Sequence, residues 1–345
     1  EDLLKLDPDA LGRRARVLML LGEVDSARGN LDAALARYKE AVATTEELLR
    51  RNPDDEQRIF DHAQSIYWVG DIAWKRGDIA TVTDYWTQYR DFGARLVAIN
   101  PDKDAWQTEL GYGHRNLATL ALQEGDAGAA AEGFERARDV SQRLAEADPA
   151  DRSLQIILAD DLAWLAIAQE RLGDFAEAER TLATEAAIYA ALLARDPSDD
   201  AILNRQSVNG RVAARIAMDV GDAEHGLAMM QALFDLHESR LAHDSENTRW
   251  LDYYGLLQIE TGSALLALGN HGAAREMADG ALAVARRLRS IDDSVTDWAI
   301  DNHCGALLLA ARAAFAEGDE RAADAHLDEA EAVIMSVSAG KAPPG

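Results

Sequence analysis

Apolar residues recur along this chain at helical spacing. Small residues at Ala34, Ala130, Ala178, Gly226, Ala274 and Ala323 are followed four positions later by Tyr38, Phe134, Leu182, Met230, Ala278 and Leu327. Side chains four apart share one helix face, so this pattern predicts a buried helical stripe. Two further apolar series recur with the same period: Leu48, Leu96, Leu144, Leu192 and Leu288, and Trp106, Leu154, Ile202, Trp250 and Trp298. A small residue also returns at Gly22, Gly70, Ala118, Ala166, Ala214, Gly262 and Ala310, where two helix backbones are expected to approach closely. Together these positions form the predicted core.

The helices are interrupted at regular places. Gly-Asp or Gly-Asn pairs stand at Gly29, Gly77, Gly125, Gly173, Gly221, Gly269 and Gly318, a spacing of 48 residues five times and then 49. Glycine supplies the left-handed conformation that ends a helix, and the Asp or Asn after it caps the next. A second break, at Pro53, Pro101, Pro149 and Pro197, removes a backbone donor and biases its predecessor away from helix. The unit therefore reads as helix A, tight turn, helix B, short loop. In the second unit helix A is predicted over 57–76 and helix B over 79–99, each roughly 30 Å long. A fixed period of this length marks stacked units that bury a core only against their neighbours. The expected fold is an all-α, right-handed solenoid of about seven helical hairpins, one domain over 1–338 followed by a flexible tail at 339–345. The start at Glu1, without methionine, is expected of a piece cut from a longer protein.

Charge narrows the partners. Against 35 Lys and Arg stand 61 Asp and Glu, a net of −26, which disfavours nucleic-acid backbones and anionic lipid. One cysteine, Cys304, excludes an internal disulfide framework and a cysteine-rich zinc site. It fits a reducing, cytoplasmic setting, although a targeting or membrane segment upstream would not be visible here. No apolar run approaches the ~20 residues needed to span a bilayer.

Catalytic patterns are lacking. Neither GxGxxG nor GxxxxGK[ST] occurs, so no glycine loop is available to surround a phosphate. His237-Glu238 supplies only the opening of a zinc-protease motif, and His237 is expected at the surface. His303 and Cys304 are adjacent, which on a helix turns them about 100° apart rather than together. Cys304 reads as a small buried residue. The acidic pairs Asp54-Asp55 and Asp160-Asp161 are expected to cap helix starts or to be solvated. No enzyme activity, metal or cofactor is expected of the chain.

The small residue, the Gly-Asp turn seven later, then Ala, an aromatic and a closing proline resemble the tetratricopeptide repeat. The segment from Trp106 to Pro149 fits best, through Leu117, Ala118, Gly125-Asp126, Ala130, Phe134, Ala137 and Asp148-Pro149. The longer period is similar to the extended bacterial variety, while Val82, Trp86 and Tyr89 depart from the pattern. The resemblance implies a binding role within large bacterial signalling proteins, beside kinase, Toll-receptor-like, caspase-like or winged-helix domains. It also implies a groove on helix A, formed three before, one after and four after the small residue. Those offsets select Tyr67, Asp71 and Trp74; Arg115 and Thr119; Ala163, Ile167 and Glu170; and Arg211, Arg215 and Met218. Trp68, Asn116, Trp164 and Asn209 adjoin them.

An extended protein or peptide segment is the expected ligand, with aromatics as anchors and arginines pairing carboxylates. The alternative for Trp68, Trp74 and Trp164 is packing between helices. The chaperone-type carboxylate clamp is incomplete, since Arg115-Asn116 stands without its partners. Two other roles are open: an assembly device for an upstream effector through self-association, and a small-molecule or signal-peptide sensor. Replacing Arg211 and Arg215 by Glu is expected to abolish capture without altering stability.

Overall fold

The computed structural model describes residues 7–293 and 295–340, and all the regular structure among them is helical. Cα packing divides the chain into two compact units, 1–192 and 193–345. The first holds α1 (Pro8–Ala27), α2 (Leu31–Arg51), α3 (Glu56–Lys75), α4 (Ile79–Ile99), α5 (Asp104–Gln123), α6 (Ala127–Ala147), α7 (Arg152–Leu172) and α8 (Phe175–Leu193). The second holds α9 (Asp200–Asp219), α10 (Ala223–His243), α11 (Thr248–Ala267), α12 (His271–Ile291), a π-helical segment Trp298–Cys304, α13 (Gly305–Ala316) and α14 (Glu320–Gly340). Each unit is thus a stack of helical hairpins, as the period predicts. The tail expected from 339 overlaps the last residues of α14, and 341–345 lie outside the described residues.

Both kinds of turn follow from the residues that mark them. All seven turn glycines have φ between 72° and 93°. At Gly77 the glycine N–H donates to Trp74 O and the Asp78 N–H to Ala73 O, closing the last carbonyls of α3. The Asp78 carboxylate then accepts from the Thr81 N–H at 3.2 Å and starts α4. At the other loops Asp55 and Asp199 cap α3 and α9 in the same way.

Core volumes are matched in pairs across each hairpin. A Cβ on Gly22 would lie 2.6 Å from the Tyr38 ring, and one on Gly70 would overlap the indole of Trp86. Where helix B carries the smaller Phe134, helix A carries Ala118, and the two share a buried cluster. Stacking between hairpins uses a second pair: Val69 and Ile72 of α3 are buried against Ala34 and Tyr38 of α2.

Four expectations need correction. Leu327, assigned to the core series, is exposed. His237, expected at the surface, is fully buried between Ser207 Oγ (2.6 Å) and Trp250 O (3.3 Å). Its stripe on α10 points inward with Met230 and Phe234, a burial that spacing from Met230 already carried. Asp161 sits in the middle of α7 and is buried by pairing with Arg115, so it neither caps nor is solvated.

The fourth concerns register. The π-helical turn at Trp298–Cys304 holds one residue more than an α-helical path would, and this is where the 49th residue enters. Trp298 precedes the insertion and remains one 48-residue period after Trp250. Everything after it moves by one, so the counterpart of Gly262 is Ala311 rather than Ala310.

Candidate functional site

In the first unit the anticipated groove residues lie on α3, α5 and α7, and most are already engaged. Tyr67 packs against Trp68 and Tyr89, with ring centroids 5.2 and 5.4 Å away. Lys75 Nζ lies 2.7 Å from Asp71 Oδ2. Trp74 stacks on Trp86 at 5.4 Å. The Thr119 hydroxyl donates to Arg115 O, and Asn116 Nδ2 is buried without a hydrogen-bond acceptor. Trp68 stacks on Tyr38 and Trp164 on Phe134, at 5.8 and 5.9 Å. These two stacks occupy the same repeat positions, so both tryptophans join one hairpin to the one before it. Trp164 still leaves part of its ring exposed.

Arg115 is held by the fold. Its Nε donates to Asp161 Oδ1 at 2.6 Å and its guanidinium lies over the Tyr112 ring. A second polar bridge joins α3 to α5, where Gln64 Nε2 and the Tyr89 hydroxyl both donate to Glu109 Oε2 at 2.8 and 2.5 Å. Burial raises the Glu109 pKa, while these two hydrogen bonds oppose the rise.

In the second unit Arg211 and Arg215 take different roles. Arg211 makes a two-pronged pair with Glu260 at 2.8 and 2.7 Å. Arg215 is 40% exposed, stands 3.8 Å from the same carboxylate, and opens onto a cavity of about 360 Å³. Met218, Met230, Ile259, Ser263 and Ala264 complete most of that cavity, between α9, α10 and α11. A larger recess of about 880 Å³ adjoins it through Ala267, lined by Leu266, Leu308, Arg312, Phe315 and the start of α14.

The lining residues missed in the sequence obey the same offsets. Around Gly262 the rule selects Ile259, Ser263 and Leu266. Around Ala311 it selects Leu308, Arg312 and Phe315. All six line the two cavities. The signal was present, but counting from Ala310 selects Leu307, Ala311 and Ala314 instead, and Leu307 and Ala311 are buried.

The adjacent His303 and Cys304 are not arranged as a catalytic pair. Burial raises the Cys304 thiol pKa, whereas burial and the Arg289 guanidinium lower that of His303. Arg289 Nη1 lies 2.9 Å from His303 Nδ1, so that ring nitrogen accepts from Arg289 and is not free to act as a base. This is the reverse of an activated thiolate–imidazolium pair. Among the described residues no cluster of three His, Cys, Asp or Glu has metal-binding geometry. Nor is any helix among them long and apolar enough to cross a membrane.

Hairpins of this build define a helical-repeat array of the tetratricopeptide-like class. No protein-family model matches the chain, and comparison with curated proteins gives no match. Solved structures match in fold. The apo form of RapI is 12% identical with a TM-score of 0.58, covering 94% of this chain and 98% of its own. A Rap protein complexed with Competence and Sporulation Factor is 13% identical at 0.53, covering 96% and 80%. The TPR-like repeats of a putative kinesin light chain from Podosopora anserina are 15% identical at 0.52, covering 66% and 97%.

Proposed function

We propose that this chain is a non-catalytic helical-repeat module that binds a protein or peptide segment, within a larger cytoplasmic signalling or regulatory protein of bacteria. The observation that carries this reading is the 360 Å³ cavity, whose walls include Arg215, Met218, Ile259 and Ser263 at the helix A offsets. Met218, Met230 and Ile259 offer an apolar floor for an anchoring side chain. Arg215, beside Glu260 at the rim, is the cation that would meet a ligand carboxylate. A Rap protein of similar fold was solved with Competence and Sporulation Factor bound, which supports a ligand of this kind.

A peptide library displayed on phage and selected on the chain provides the test. Selected peptides are expected to lose about 10- to 100-fold in affinity on Arg215→Glu, the worth of a charge-assisted hydrogen bond. They should also fail on Ile259→Asp. Peptides that bind both variants as well as the parent would place the site elsewhere and overturn the reading. The cavity volume also suits a small molecule or short signal peptide, and closure on such a ligand would shrink the radius measured by small-angle scattering.

A further inference from the structure

α1 exposes an apolar stripe of Val17, Leu20, Leu21 and Val24. Leu21 and Val24 are 43% and 45% exposed, yet one period later the same positions are Val69 and Ile72, fully buried against Ala34 and Tyr38 of α2. Three periods later they are Leu165 and Ala168, buried in one cluster with Ala130 and Phe134 of α6. Within the array, then, these positions are the plug by which a helix A docks on the preceding helix B.

α14 carries the matching socket. Ala323 and Leu327 are its counterparts of Ala34 and Tyr38, and Leu327 is 47% exposed beside exposed Leu308 and Phe315. The 880 Å³ recess opens between them. Charge follows the same division. In a chain of net charge −26, the plug stripe continues into Arg13 and Arg16, while Asp324, Asp328 and Glu331 flank the socket, and all five are exposed.

The internal joint also supplies the orientation. His62, early in α3, meets Thr45, late in α2, whereas Val69 and Ile72, later in α3, meet Ala34 and Tyr38, early in α2. The two helices are antiparallel. Carried over to the two exposed faces, this docking sets Leu21 and Val24 on Ala323 and Leu327, and Arg13 and Arg16 toward Glu331.

We propose that the chain self-associates head to tail, α1 of one copy docking in the recess of α13 and α14 of another as the next helix A would. The contact is heterologous, so it leaves one plug and one socket unused in every dimer. It uses neither Arg215 nor the smaller cavity and does not depend on the peptide-binding reading.

Light scattering coupled to size exclusion, across a concentration series from micromolar to millimolar, reads this directly. The parent chain is expected to show a mass that rises with concentration. Leu21→Asp and Leu327→Arg, both at exposed positions, should each keep the parent's helicity and melting while weakening association by at least about 30-fold, as for a central contact residue. Mixed one to one, the two variants should form a dimer that grows no further, since one retains an intact plug and the other an intact socket. Arg16→Glu should weaken association and Glu331→Arg should restore it in the double variant. A parent chain that stays monomeric throughout, a mixture that stays monomeric, or a parent dimer indifferent to both substitutions would each overturn the proposal.

Discussion

Replacing Arg115 by Ala is expected to destabilise the fold rather than act only on binding. Asp161 is 1% exposed, and the Arg115 guanidinium beside it is its cation, 2.6 Å away. An exposed pair of this kind is worth about 0–1 kcal/mol, whereas removing one partner of a buried pair costs about 3–5 kcal/mol because a charge is left without compensation. Arg115 keeps 20% of its side chain in solvent, so water entering the vacated space offsets part of the loss and the lower end, about 3 kcal/mol, applies. In urea, with a slope near 2 kcal/mol/M, that lowers the unfolding midpoint by about 1.5 M. The double variant Arg115→Met with Asp161→Leu should recover most of the loss, since it orphans no charge. Far-UV circular dichroism follows both transitions. A midpoint shift below about 0.5 M for Arg115→Ala, the size expected of a surface pair, would refute the structural role and return Arg115 to the ligand groove. A double variant less stable than the single one would refute the electrostatic account.

Three further outcomes are expected. Gly70→Ala drives a methyl into the Trp86 indole and should cost about 1–3 kcal/mol by overpacking, read as a lowered melting temperature; an unchanged melt would mean that Trp86 has room to move. Burial lowers the pKa of His62 and His237 to about 4. The unfolded imidazoles, with ordinary values near 6.5, take up protons first as pH falls, so stability is complete above pH 6.5 and declines toward pH 4, by about 2 kcal/mol per histidine between pH 7 and 5. Urea midpoints at the two pH values should show that slope, and His237→Leu should flatten it; an equal slope in the variant would exclude His237 as its source. Deleting Asp301, an exposed residue of the π-helical turn, should convert that turn to α-helix and leave a cooperative melt, whereas deleting Tyr253, one 48-residue period earlier, should rotate half of α11 out of register and unfold it. Equal effects of the two deletions would mean that Trp298–Cys304 does not hold the extra residue.

The repeat was legible because it reports what every unit must share. Each hairpin needs a left-handed glycine and a capping carboxylate, so Gly77 and Asp78 are legible from spacing alone, whereas Gly70, expected to let two helix backbones approach, instead makes room for the Trp86 indole. Ion pairing was not legible, because partners such as Arg115 and Asp161, or Arg211 and Glu260, are about one period apart and meet only once adjacent hairpins stack. Subtracting the period therefore singles out both recognition residues and the polar ties between hairpins. Arg211→Glu shows the consequence: it would set two carboxylates together at Glu260, so reversing the Arg211 and Arg215 pair is expected to cost stability as well as capture.

The remaining difference rests on one residue. A spacing of 49 announces an insertion but not its place, and moving it across Ala310 turns the offset residues by about 100° on the helix. Counted from Ala310, the groove would end on side chains that face the core. The π-helical turn puts the insertion upstream, and the same rule then brings Leu308, Arg312 and Phe315 to the wall of the 880 Å³ recess. A local backbone irregularity, invisible in the hydrophobic pattern, thus decides which side chains of the last hairpin line the recess.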